Sequence, residues 1–61
     1  MKEIKIKLSV LWAELKEKSI AYEFKSRGSH NDQLRNYYEG MAVQLNYAAN
    51  EVRKIIESIP A

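Results

Sequence analysis

Sixty-one residues allow one domain at most, and a chain this short buries a smaller share of its surface on folding than a longer one. No cysteine is present and there is one histidine, which excludes a disulfide scaffold and any thiolate metal site, so no cofactor is expected. The formal charge of +2 divides unevenly: residues 1–27 carry seven basic against four acidic side chains, and residues 28–61 three against four. So mild and mixed an excess reads as a solvated helix face and does not indicate a nucleic-acid patch.

The chain begins Met-Lys-Glu, and Lys5 and Lys7 interrupt the apolar residues that follow. Neither a signal-peptide core nor a membrane-crossing run is expected, and the location implied is cytoplasmic. The first element carries two periods at once. In "IKIKLSVLW", residues 4–12, Ile4, Ile6, Leu8, Val10 and Trp12 alternate as in a half-buried strand, while Ile4, Leu8, Leu11 and Leu15 are spaced for a helix. Read as a helix, it places Ile4, Leu8, Leu11, Trp12, Leu15 and Tyr22 on one face. Ile6, Val10, Ala13, Ile20 and Phe24 then fall roughly opposite, because successive residues advance about 100°. Both stripes run on to Tyr22 and Phe24, beyond the length of an ordinary strand, and this favours a helix over about 3–26.

Punctuation follows in "SRGSHND", residues 26–32. Gly28 is placed to end the first helix as its C′ residue, and Ser29 or Asn31 to cap the second. Ser29 with Asp32 approximates a capping box. The second helix is expected over 32–58. Leu34, Tyr38, Met41, Leu45, Ala48, Val52, Ile55 and Ile59 fall at alternating steps of four and three, as in a coiled coil, and Tyr37, Ala42, Ala49 and Ile56 widen the stripe. Gly40 interrupts it at a cost of about 1 kcal/mol relative to Ala, either tolerated or there to let a neighbouring helix approach.

The fold expected is therefore all-α, a two-helix antiparallel hairpin in a single domain, 1–61. One stripe of the first helix can pack on the second helix, and the other has nothing left in the chain to cover it. A second copy is the simplest cover, giving a dimeric four-helix bundle or a higher oligomer. The candidate oligomer-interface residues are Ile6, Val10, Ile20, Phe24 and Trp12.

Two resemblances add expectations. "YYEGMAVQLNYAANEVRKIIE", residues 37–57, resembles small helical-hairpin proteins encoded by phages and prophages of Gram-positive bacteria. That resemblance covers the C-terminal third and implies an accessory protein that inhibits or sequesters a host component by binding it. The alternative starts from "IKIKLSVLWAEL", residues 4–15, followed by helix, Gly28 and helix, which resembles the ribbon-helix-helix family of dimeric transcriptional regulators. It implies a strand over 3–8 shared between subunits. Lys5 and Lys7 would then be aimed at base edges, with Glu3 beside them, and the second helix's N-terminus near Asn31 would sit on a phosphate. A second helix about twice that family's length, and the absence of its usual basic and hydroxyl pattern after Gly28, count against it.

No enzyme motif is found: there is no phosphate-binding glycine loop, no paired metal ligands and no nucleophile with a base. His30, between Ser29 and Asn31, reads as a turn residue, and Glu14 with Lys18 as an ordinary i, i+4 surface pair. Tyr22, Tyr37 and Tyr38 lie on or beside the expected seams. Tyr47 differs. With Val43 it falls on the side of the second helix away from the stripe, flanked by Asn36, Asn46 and Asn50. Val43, Tyr47 and Asn50 are therefore the candidate partner-binding residues, for a host protein or, in a third reading, a small ligand held between subunits.

Overall fold

The computed structural model describes residues 2–60 as two helices, α1 (Lys2–Gly28) and α2 (Asp32–Ser58), with no strand among those residues. Each helix has 27 residues, about 40 Å at ~1.5 Å per residue, and they lie side by side in a rod whose Cα extents are 46 × 14 × 10 Å. Glu3–Leu8 is helical, so the shared-strand alternative is not what the chain forms; the alternation in this stretch is that of a helix apolar on two faces.

The connection between the helices departs from expectation at Gly28 and selects one of the two expected caps. Gly28 is the last residue of α1 and has no positive φ, so it does not act as a left-handed cap; the turn tightens instead through Ser29 N–H donating to Ser26 O at 3.2 Å. The N-cap of α2 is Asn31, whose Oδ1 accepts from Gln33 N–H at 2.8 Å and Leu34 N–H at 3.3 Å. Ser29 is not the cap; its hydroxyl donates to Asn31 O at 3.3 Å. Asp32 supplies the negative charge in the first turn and pairs with Arg35 at 3.5 Å.

Four pairs define how the helices meet. Ser19 Oγ donates to Ala42 O (2.9 Å), Ser26 Oγ to Arg35 O (3.1 Å) and Lys16 Nζ to Asn46 Oδ1 (2.6 Å), while Tyr22 stacks on Tyr38 with centroids 6.0 Å apart. The paired residue numbers rise on one helix as they fall on the other, which is a fixed antiparallel register. The same register sets Trp12 across from Ala49.

Burial shows the seam. On α1 the buried or half-buried positions include Lys5, Leu8, Trp12, Leu15, Ser19, Tyr22 and Ser26, and on α2 Tyr38, Ala42, Leu45, Ala49, Val52 and Ile56, followed by the C-cap Ile59; Met41 and Ala48 are half-buried beside that row. Both rows step by alternating threes and fours, as in a coiled coil. The seam on α2 is therefore turned relative to the apolar stripe read from spacing. Ala42 and Ala49 are its most buried members, at 4% and 0% exposure, whereas Leu34 and Ile55 stay about half exposed. Ile4 and Leu11 likewise fall outside the seam of α1.

The reason is steric. Ser19 and Ser26, both buried, face α2 and donate to its backbone carbonyls, which brings the two backbones close. Only small side chains fit where backbones approach this closely, so Ala42 and Ala49 occupy the centre and larger residues move to the flanks. Gly40 is elsewhere: a Cβ there would meet nothing within 4 Å, so it is tolerated in the helix and opens no close approach.

Candidate functional site

Two helices enclose little. Among the described residues no large side chain is fully buried, and Leu8, Leu15, Met41, Leu45, Val52 and Ile56 are half-buried. Among the described residues eleven large apolar side chains are exposed, so the surface is where function must be sought.

The second stripe of α1 lies in solvent. Ile6, Val10, Ile20 and Phe24 are all about half exposed or more, Phe24 reaching 65%, and a shallow depression is lined by Lys2, Lys5, Ile6, Ser9, Val10 and Ala13. Arg27 lies over the Phe24 ring at 5.9 Å. Trp12, read on the opposite face of α1 but named with these residues as an oligomer-interface candidate, sits in the seam between the helices. Its indole Nε1–H is buried without a hydrogen-bond partner among the described residues, a feature that costs about 1–3 kcal/mol.

On α2, Val43 is 60% and Tyr47 65% exposed, while Asn50 is half-buried. The two candidate surfaces meet along one side of the hairpin. Ile20 from α1 and Val43 from α2 line the same groove, floored by Ser19 and Ala42 and edged by Lys16, Glu23 and Asn46. The groove continues toward the turn past Arg27, Arg35 and Glu39. The Lys16–Asn46 hydrogen bond spans it, so this side is polar in its depth with apolar side chains on its lips. Nothing in the hydropathy pattern marks Ser19, Ser26 or the Lys16–Asn46 pair; the antiparallel register alone brings them together.

The opposite side is apolar in the half away from the turn and carries lysines toward it, and the seven-residue repeat identifies it. Ile4, Leu11, Lys18 and Lys25 each precede a seam residue of α1 by one place, and Leu34, Met41, Ala48 and Ile55 stand in the same relation to Arg35, Ala42, Ala49 and Ile56. In an antiparallel pair these two rows face each other, so Ile4 aligns with Ile55, Leu11 with Ala48, Lys18 with Met41 and Lys25 with Leu34. Near the turn, Tyr37 packs edge-on to Tyr38 at 5.6 Å, and the Lys25 ammonium sits 5.2 Å from the Tyr22 ring centroid and 5.9 Å from that of Tyr38.

Lys5 is half-buried in the seam and Lys7 is exposed. His30 is exposed in the turn. Among the described residues no group of three or more His, Asp or Glu side chains could hold a metal ion, and no helix is long and apolar enough to cross a membrane. Compared with protein-family models, with curated proteins and with solved structures, the chain matches none.

Proposed function

We propose that this chain is a non-enzymatic interaction protein that self-associates and binds or sequesters a host protein. The observation that carries the reading is the mismatch between enclosure and exposure: among the described residues those buried are Ser19, Ser26, Ala42 and Ala49, while eleven large apolar side chains face solvent. A soluble chain rarely keeps so much apolar surface unless other protein covers it. The groove between Ile20 and Val43, with Phe24 and Tyr47 on its outer flanks, is the surface assigned to the host protein, because aromatic and aliphatic anchors beside polar groups are what binding hot spots use. The resemblance of residues 37–57 to phage and prophage hairpins supports an accessory or inhibitory role.

The test is affinity capture from the native host with the wild-type chain and with Ile20→Glu and Val43→Glu, each first shown by circular dichroism to keep its helices. The reading predicts one protein retained by the wild type and lost with both variants, and rebinding when that protein is supplied purified. Equal retention by all three chains would refute the assignment of the groove.

A further inference from the structure

We infer that a second copy of this chain covers the apolar edge formed by Ile4 and Leu11 of α1 with Met41, Ala48 and Ile55 of α2, closing an end-for-end four-helix bundle. The inference rests on the self-association proposed above and names the surface and orientation it uses. It assigns self-association to this edge, and it leaves the Ile6, Val10, Ile20 and Phe24 stripe, the interface expected from sequence, free for the host protein.

Area argues for a second copy. A compact monomer of 7.1 kDa exposes about 4,100 Å², yet this chain exposes 4959 Å². The excess, about 900 Å², matches the ~800 Å² that each partner contributes to a standard interface. A globular fold would have removed that area within the chain. A two-helix rod cannot, because it has a single layer on each side of its seam.

Chemistry selects the edge. On the groove side Lys16 is bonded to Asn46, and Glu23, Arg27, Arg35 and Glu39 stand along the margins. In a symmetric pair this polar surface would meet its own copy, whereas a host protein can bring complementary groups to it. On the other edge the facing pairs Ile4/Ile55 and Leu11/Ala48 are apolar throughout, and Met41 and Leu34 have the stems of Lys18 and Lys25 as neighbours. Covering it would also complete the burial of Leu8, Leu15, Leu45 and Val52, which the hairpin leaves half done.

Charge selects the orientation. Lys18 and Lys25 lie in the turn half of this side, whereas the other half carries Glu14, Lys7 and Glu51, the last already paired with Lys54 at 3.4 Å. Turn over turn would gather four lysines. End for end, each pair of lysines lies over the half that holds Glu14 and Glu51, and Leu34 of one copy comes opposite Ile55 of the other.

Sedimentation and cross-linking of the full chain test this. The wild type is expected to be a concentration-dependent dimer. Leu11→Glu should weaken it by about a hundredfold or more by burying an unpaired carboxylate, and Ile6→Glu should leave it within about threefold of wild type. Because the chain has no cysteine, single substitutions report orientation without folding being put at risk. A mixture of Leu34→Cys and Ile55→Cys chains should form the mixed disulfide, and neither variant alone should link to itself. Self-linking of Ile55→Cys would overturn the end-for-end arrangement. A dimer lost in Ile6→Glu and kept in Leu11→Glu would overturn the edge while leaving self-association standing, and a wild-type monomer would overturn both. Host-protein capture is read separately: it should survive Leu11→Glu, and its loss with Ile20→Glu in an intact dimer keeps the two assignments distinguishable.

Discussion

Ala49→Leu probes the closeness of the two helices most directly. Ala49 has no exposed surface and lies across from Trp12, whose indole N–H is itself shut away from water. Leucine adds three carbons to a seam that the Ser19–Ala42 and Ser26–Arg35 hydrogen bonds hold close toward the turn. Overpacking of this kind costs about 1–3 kcal/mol. In a domain of this size each kcal/mol moves the melting temperature by about 4–8 °C, so a fall of between about 4 and 24 °C is expected. The assay is thermal unfolding followed by circular dichroism at one fixed chain concentration, since association makes the midpoint concentration-dependent. Ala21→Leu, at an exposed position of α1, is the control, and it should change little because Leu and Ala are both good helix formers. An Ala49→Leu midpoint equal to or above wild type would refute the close-packed seam.

Gly40→Ala should stabilise the chain by about 1 kcal/mol, because the added methyl meets open space and the helix gains propensity; denaturant unfolding measures it, and a loss of stability would show a neighbour close to that backbone. Asn31→Ala should cost about 1 kcal/mol by leaving Gln33 and Leu34 N–H groups without their acceptor. The same substitution at Ser29 should cost less, and the reverse order would move the cap. Ser19→Ala should cost roughly 0.5–1.5 kcal/mol, the worth of one hydrogen bond with almost no change in volume. Ser19→Leu should cost more, and equal costs would show that the hydroxyl and not the space is what matters at this position.

Much of the architecture was open to reading in one dimension. A helix is a local object: the unbroken apolar steps of 32–58, the cluster of Ser, Gly, Asn and Asp at 26–32 and the persistence of two stripes to Tyr22 and Phe24 suffice to place both helices within two residues of their observed ends. The exposed stripe of Ile6, Val10, Ile20 and Phe24 and the isolation of Val43 and Tyr47 were legible for the same reason, since angular position on a helix follows from residue number alone. Asn31 over Ser29 as cap, and Gly28 kept within the helix, depended on the path of the turn and so on where the second helix had to lie.

By itself, then, the sequence determines two long helices, a short turn and more apolar surface than a hairpin can enclose. Which faces meet is decided only in three dimensions. Hydropathy ranks Leu34 and Ile55 above Ala42 and Ala49, and it treats Ser19 and Ser26 as solvent-facing; the structure reverses both orders. The physical reason is that packing between two helices rewards closeness of approach as well as apolar area. Serines that bond the opposite backbone, set against alanines, bring the helices together and turn the larger side chains outward, toward the surfaces where a second copy and a host protein are proposed to bind.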